Sequence, residues 1–173
     1  FGSKKSNLVT KEFSKVGFKN SWNALLNDRL NEPKERIGLA IGSIFGIYAL
    51  MNSGDGPTNG FAYYFGVQNN IPHGIAGGMF LKHVMEYNCS KGFEGYDELF
   101  SYLGYNSKEQ FFQKFDEIYS KNNIEKLDSY GYQLSDCKDL AKKVSDALQG
   151  SFSGNPIDFD EKSAFEVLKT QFW

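Results

Sequence analysis

Both histidines of the chain fall in one stretch, Ile71 to Asn88, and the first sits in the run Pro72-His73-Gly74-Ile75-Ala76. Imidazole binds metals, moves protons and takes part in hydrogen bonds from either ring nitrogen. A proline in front of His73 places it where a helix can begin. Just upstream lies a glycine-rich loop, Ser53-Gly54-Asp55-Gly56-Pro57-Thr58-Asn59-Gly60. Loops of this kind expose backbone N–H groups and can line a ligand cleft. A histidine at a helix mouth beside such a loop is poised to meet a ligand or a metal. Asp55 is the nearest acid upstream of His73 in sequence. Its carboxylate can orient the imidazole, bind a cation, or simply serve the turn, a position aspartate favours.

His83 follows ten residues after His73. That spacing puts the two about 80° apart around a helix and about three turns apart along it, so they cannot share one metal ion. His83 is read as structural. No G-x-S-x-G elbow, P-loop or G-x-G-x-x-G turn occurs, which removes the common signatures of serine hydrolases, NTPases and dinucleotide folds.

The elements that must position these residues read as helices. Thr10 is placed to cap the first, whose apolar residues are Phe13, Val16, Trp22, Leu25 and Leu26, with Gly17 as its weak point. Asn31-Glu32-Pro33 separates it from a second helix over 36–51, apolar on nearly all sides and therefore expected at the centre of the domain. Gly38, Gly42 and Gly46 recur at every fourth position of that helix. Each costs roughly 1 kcal/mol against alanine, and close helix packing is the expected compensation. Its apolar run, Ile37 to Met51, has about 15 residues against the roughly 20 that span a bilayer. A short aromatic helix over 59–67 follows, then the helix that begins at Pro72. Further on, helices are expected over 96–103, from Ser107 with Gln110 as a capping box, and from Ser135 or Asp136 through Leu148. The segment 150–156 reads as a turn-rich loop, and Asp158 or Asp160 opens a last helix. No alternating strand of useful length is present. The chain reads as one all-α domain over 1–173.

Composition agrees with a packed globular chain. Its 173 residues include 16 Phe and 10 Tyr, a load suited to cores and pockets. The net charge of −2 and the mixed signs speak against nucleic acid as a partner. Cys89 and Cys137 stand far apart and form no metal-finger spacing; two free thiols in a reducing, cytoplasmic compartment are expected.

These residues carry a resemblance. Pro72-His73-Gly74-Ile75-Ala76, followed by Leu81-Lys82-His83-Val84 and Asn88, resembles the P-H-G-x-A and L-P-H-V-x-x-x-N segments of the iron-containing alcohol dehydrogenases. Ser3 to Thr10 resembles that family's S-x-x-x-N-P-x-T helix start. Asn155-Pro156-Ile157-Asp158-Phe159-Asp160 is similar to the N-P signature before its last helix. The related dehydroquinate-synthase and glycerol-dehydrogenase branch shares the plan, but the histidine-containing run fits the iron-containing branch better. The resemblance implies the multi-helix C-terminal domain of the dehydroquinate synthase-like, iron-containing alcohol dehydrogenase fold. It implies too that an N-terminal NAD(P)-binding α/β domain lies outside this chain, together with a helix carrying two metal ligands, an aspartate and a histidine.

Carried over position by position, the resemblance makes His73 a metal ligand, for Fe or Zn. The family's other ligand in this domain is a histidine fourteen residues earlier, and here that residue is Asn59. A neutral amide oxygen is a poor donor for Fe²⁺ or Zn²⁺, so Asn59 is expected to bind substrate instead. A further family histidine is Tyr63 here, expected to act in proton transfer. The implied activity is hydride transfer between an alcohol, aldehyde or sugar and NAD(P). It belongs to the full-length protein, for which a homodimer and no membrane partner are expected; this chain alone is expected to be inactive. The alternative is a degenerate, non-catalytic helical module kept for assembly or regulation, which the Asn59 replacement favours.

Overall fold

A computed structural model describes residues 1–27 and 29–172. Those residues form eight α-helices: α1 Leu8–Leu26, α2 Pro33–Ser53, α3 Pro57–Asn69, α4 His73–Ser90, α5 Asp97–Tyr102, α6 Lys108–Lys121, α7 Cys137–Ser153 and α8 Glu161–Lys169. No strand occurs among the described residues, so the expected all-α class holds. The helices group into two compact units. One comprises Phe1–Gly54 with Glu94–Asn122; the other comprises Asp55–Phe93 with the residues from Asn123 on.

In the first unit α1 is capped by Asn7, not by Thr10. Asn7 Oδ1 accepts from Thr10 N at 3.1 Å, and Thr10 Oγ1 accepts from Asn7 N at 2.9 Å. Thr10 thus takes the N3 role of a capping box. Gly17 is the crossing point of α1 on α2, where a weak point was expected. A Cβ there would come within 2.9 Å of Gly46 N and 3.0 Å of Gly42 O. A Cβ on Gly42 would run into Ser21 Oγ. The glycines therefore let two backbones meet, which offsets their helix cost.

The expectation that α2 lies at the centre is wrong. Only Glu35, Gly42, Ala49 and Ser53 of α2 are buried, and Ile37, Ile44, Ile47, Tyr48, Leu50 and Met51 are exposed. Burial needs a packing neighbour on each apolar side, and the close partner of α2 is α1. At 21 residues, α2 is also the one described helix long and apolar enough to cross a membrane. The apolar centre of this unit forms elsewhere, around Trp22. Its indole stacks on Phe111 at 4.8 Å between centroids, meets Phe115 edge-on at 5.0 Å, and donates from Nε1 to Tyr105 Oη at 2.9 Å. At the start of α6 the capping box is displaced by one residue. Ser107 Oγ accepts from Gln110 N, but Gln110 Oε1 accepts from Asn106 N rather than from Ser107 N.

In the second unit α3 lies between α4 and α7. Phe61, Phe65 and Phe80 stack at 4.6 and 5.2 Å, and Phe152 and Phe159 close the cluster from α7 and the segment before α8. Asn88 and Asn155 lock α4 to the segment after α7. Asn88 Nδ2 donates to Asn155 Oδ1 at 3.0 Å, and Asn155 Nδ2 returns a bond to Asn88 Oδ1 at 2.7 Å. Asp160 caps α8, accepting from Ser163 N at 2.9 Å. The segment expected as a loop from residue 150 is instead helical to Ser153, beyond a kink at Leu148 (φ −132°, ψ 31°). The kink absorbs the change of direction that a loop was expected to supply.

Candidate functional site

The second unit draws the sequence-nominated residues together. α2 ends at Ser53, Gly54 adopts φ 69°, and α3 starts at Pro57 behind Gly56. This short link places Asp55 just ahead of the helix. Asn59 and Tyr63 then sit one turn apart on α3, on the same side. His73 is the first residue of α4, behind Pro72 with φ −51° and ψ 130°, as the proline-glycine frame implies.

A continuous hydrogen-bonded set results. His73 Nε2 lies 3.1 Å from Asn59 Oδ1. Asn59 Nδ2 donates to Asp55 Oδ2 at 2.6 Å. Ser151 Oγ donates to the same Oδ2 at 2.8 Å. The Tyr63 ring packs against the imidazole, with centroids 4.8 Å apart and planes tilted by 56°. Asp55, Asn59 and Ser151 are half-buried, whereas His73 and Tyr63 are exposed. The polar anchor is thus sheltered while the histidine and the tyrosine remain open to a ligand.

Ser151 was missed at the level of sequence, because its segment reads as a loop. Two features bring it in. The kink at Leu148 re-aims the end of α7. Gly60 lets α7 approach α3, since a Cβ there would sit 3.3 Å from Ser151 Cβ and 3.6 Å from Leu148 Cβ. Gly154 is pressed against the other side of the same loop, and a Cβ on it would collide with the Asp55 carbonyl oxygen. Asp55 is therefore a built part of the site and no bare turn residue. His83 is not part of it. It is half-buried on α4 with Nδ1 3.7 Å from Glu86 Oε2.

Among the described residues no group of three or more His, Cys, Asp or Glu side chains is placed to hold a metal ion. The side chains around His73 offer an amide and a phenol, and Asp55 reaches it only through Asn59. Groups of this kind form hydrogen bonds to oxygen-bearing groups, and they make a poor donor set for iron or zinc.

The comparisons with known proteins come down to one family. The model of the C-terminal part of the Fe-containing alcohol dehydrogenase family matches residues 20–172. Among solved structures, a 1,3-propanediol oxidoreductase superimposes with a TM-score of 0.85 at 20% identity, covering 98% of this chain and 47% of that one. The alcohol dehydrogenase from Oenococcus oeni gives 0.85 at 18% identity, covering 99% and 47%. The iron-containing alcohol dehydrogenase from Thermococcus thioreducens gives 0.83 at 19% identity, covering 98% and 46%. The chain thus spans about half the length of the solved structures it matches. No curated protein sequence matches it.

Proposed function

The chain belongs to the iron-containing alcohol dehydrogenase family, and from that premise we propose that it is the helical, substrate-holding half of an NAD(P)-dependent alcohol or sugar-alcohol oxidoreductase. The observation that carries this reading is the convergence of positions 59, 63 and 73, singled out by the family pattern, into one connected set. NAD(P), when bound by a separate α/β half, supplies the hydride acceptor or donor. This chain's own residues do the rest. Asn59 keeps a second amide hydrogen and a second lone pair available for a substrate hydroxyl or carbonyl. Tyr63 is the proton-transfer group, and His73 steers its ring by direct packing.

A resident iron or zinc does not fit the residues described. Asn59 stands where the family pattern has an imidazole, and the neighbours of His73 are an amide and a phenol. The chain is expected to be inactive alone, and pairing into a homodimer is part of the same proposal.

The test is turnover. The chain alone, and the chain joined to an NAD(P)-binding half, are assayed by nicotinamide absorbance against a panel of short alcohols, polyols, sugars and aldehydes. The expected result is turnover only in the joined protein, with Tyr63→Phe lowering kcat/KM at least about a hundredfold, the lower end of what general acid–base groups supply, and Asn59→Ala lowering it at least about tenfold, the equivalent of one lost hydrogen bond of about 1.4 kcal/mol. A joined protein that binds the dinucleotide but turns over nothing, in wild type and variants alike, identifies a non-catalytic module instead.

A further inference from the structure

The hydrogen bonds around His73 have a direction, and it can be worked out from one end. An ionised carboxylate only accepts. Ser151 Oγ–H and Asn59 Nδ2–H both point at Asp55 Oδ2, at 2.8 and 2.6 Å. The orientation of the Asn59 amide is thereby fixed, because turning it over would set its oxygen against the carboxylate. Its Oδ1 must then face His73 Nε2, 3.1 Å away. An amide oxygen cannot donate, so the proton of that contact sits on Nε2.

We propose that the His73 site of this chain is metal-free, and that Asp55 and Ser151 are positioning residues which act through Asn59 to hold the proton on His73 Nε2. The nitrogen that would face an ion beside position 59 is used as a hydrogen-bond donor. An ion bridging His73 and Asn59 would have to displace that proton and rely on an amide oxygen, a poor donor for iron or zinc. The tight packing behind the relay keeps it in place. Gly60 admits Ser151, and Gly154 closes on the Asp55 backbone. The relay ends at a sheltered carboxylate and starts at an exposed imidazole, so its open end meets the ligand with one nitrogen already committed. This inference stands on hydrogen-bond polarity and needs no substrate. A protein that oxidises alcohols while binding zinc through His73 would refute it and leave the oxidoreductase reading intact.

The experiment is nitrogen NMR of the imidazole in the chain joined to the NAD(P)-binding half that brings the family's other two ligands, at a pH where the ring is neutral, with and without equimolar Zn²⁺ and, anaerobically, Fe²⁺. The expected His73 Nε2 resonance is that of a protonated nitrogen, unmoved by either ion. Asp55→Ala and Ser151→Ala, with backbone amide spectra confirming the fold, are expected to speed exchange of the Nε2 proton with water. The expected factor for Asp55→Ala is at least about tenfold, the equivalent of a lost hydrogen bond of about 1.4 kcal/mol. A bare Nε2, a resonance that moves on adding either ion and stays put in Asn59→Ala, or an exchange rate indifferent to Asp55→Ala overturns the proposal. Asn59→His supplies a further arm. Zn²⁺ uptake gained by that variant and lost again on adding His73→Ala supports the relay as what displaces the ion.

Discussion

Asn88→Ala and Asn155→Ala, singly and together, give the sharpest measure of how the second unit is held. Asn88 is 0% exposed and Asn155 2%, so both amides have left water. Asn155→Ala deletes the reciprocal pair at 2.7 and 3.0 Å and the bond from Asn155 Nδ2 to Ile157 O at 3.2 Å. Each neutral hydrogen bond contributes about 1 kcal/mol net, and a buried polar group that loses its partner costs about 1–3 kcal/mol. The single variant should therefore lose about 4–6 kcal/mol, a large share of the ~5–15 kcal/mol of a typical domain. Asn88→Ala deletes the two bonds of the pair but leaves Asn155 Nδ2 bonded to Ile157 O, and should lose about 1 kcal/mol less. The double variant removes both amides and leaves neither stranded, so it should fall short of the sum by at least about 2 kcal/mol, since the pair is counted twice in the singles. Urea unfolding followed by circular dichroism, with unchanged slopes across the four proteins, measures the cycle. Additivity to within about 0.5 kcal/mol would show that the two amides do not act as a pair and would refute the reasoning.

Further predictions concern packing and capping. Gly42→Ala drives a methyl into Ser21 Oγ and to within 3.0 Å of Gly17 O; overpacking of this kind costs about 1–3 kcal/mol, whereas Gly46→Ala, with open space around its Cβ, should be neutral or stabilising by the same urea unfolding. Gly154→Ala collides with the Asp55 carbonyl oxygen, and hydrogen exchange should rise at the loop 54–56 more than at α4. Asp160 has its carboxyl held below the ordinary aspartate value, chiefly by the backbone N–H of Ser163, with desolvation opposing. A folded-state value below the unfolded one means that its contribution is present above the unfolded value and lost as pH falls through the folded one. The α8 cap should therefore weaken below about pH 4, and Asp160→Asn should flatten that part of the stability–pH curve.

Much of the fold was legible because its local signals are strong. Pro33 and Pro72 mark helix starts, Asp160 and Ser107 mark caps, and the phenylalanine stripe of α6 marks a core face. The failures share one cause. The α2 helix looks central because its side chains are apolar all round, but burial depends on what packs against each side, and sequence does not say. Gly17 looks like a flaw until Gly42 and Gly46 meet it across the crossing. The segment 150–153 looks like a loop because Gly150 and the serines break the pattern, yet a single non-helical residue, Leu148, lets the helix run on.

For the site the division is equally physical. The sequence by itself determined the identities: a histidine behind a proline, an aspartate in a glycine-rich loop, and an asparagine and a tyrosine where the family pattern has imidazoles. Donor chemistry follows from identity, so the poor fit for iron or zinc was readable at that level. Only the tertiary structure decided that Asp55 reaches His73 through Asn59, and that Ser151, distant in sequence, anchors the far end. Hydrogen bonds have direction and short range. Which groups share one is fixed by helix crossings and by glycines that let backbones approach, and neither is written in any local run of residues.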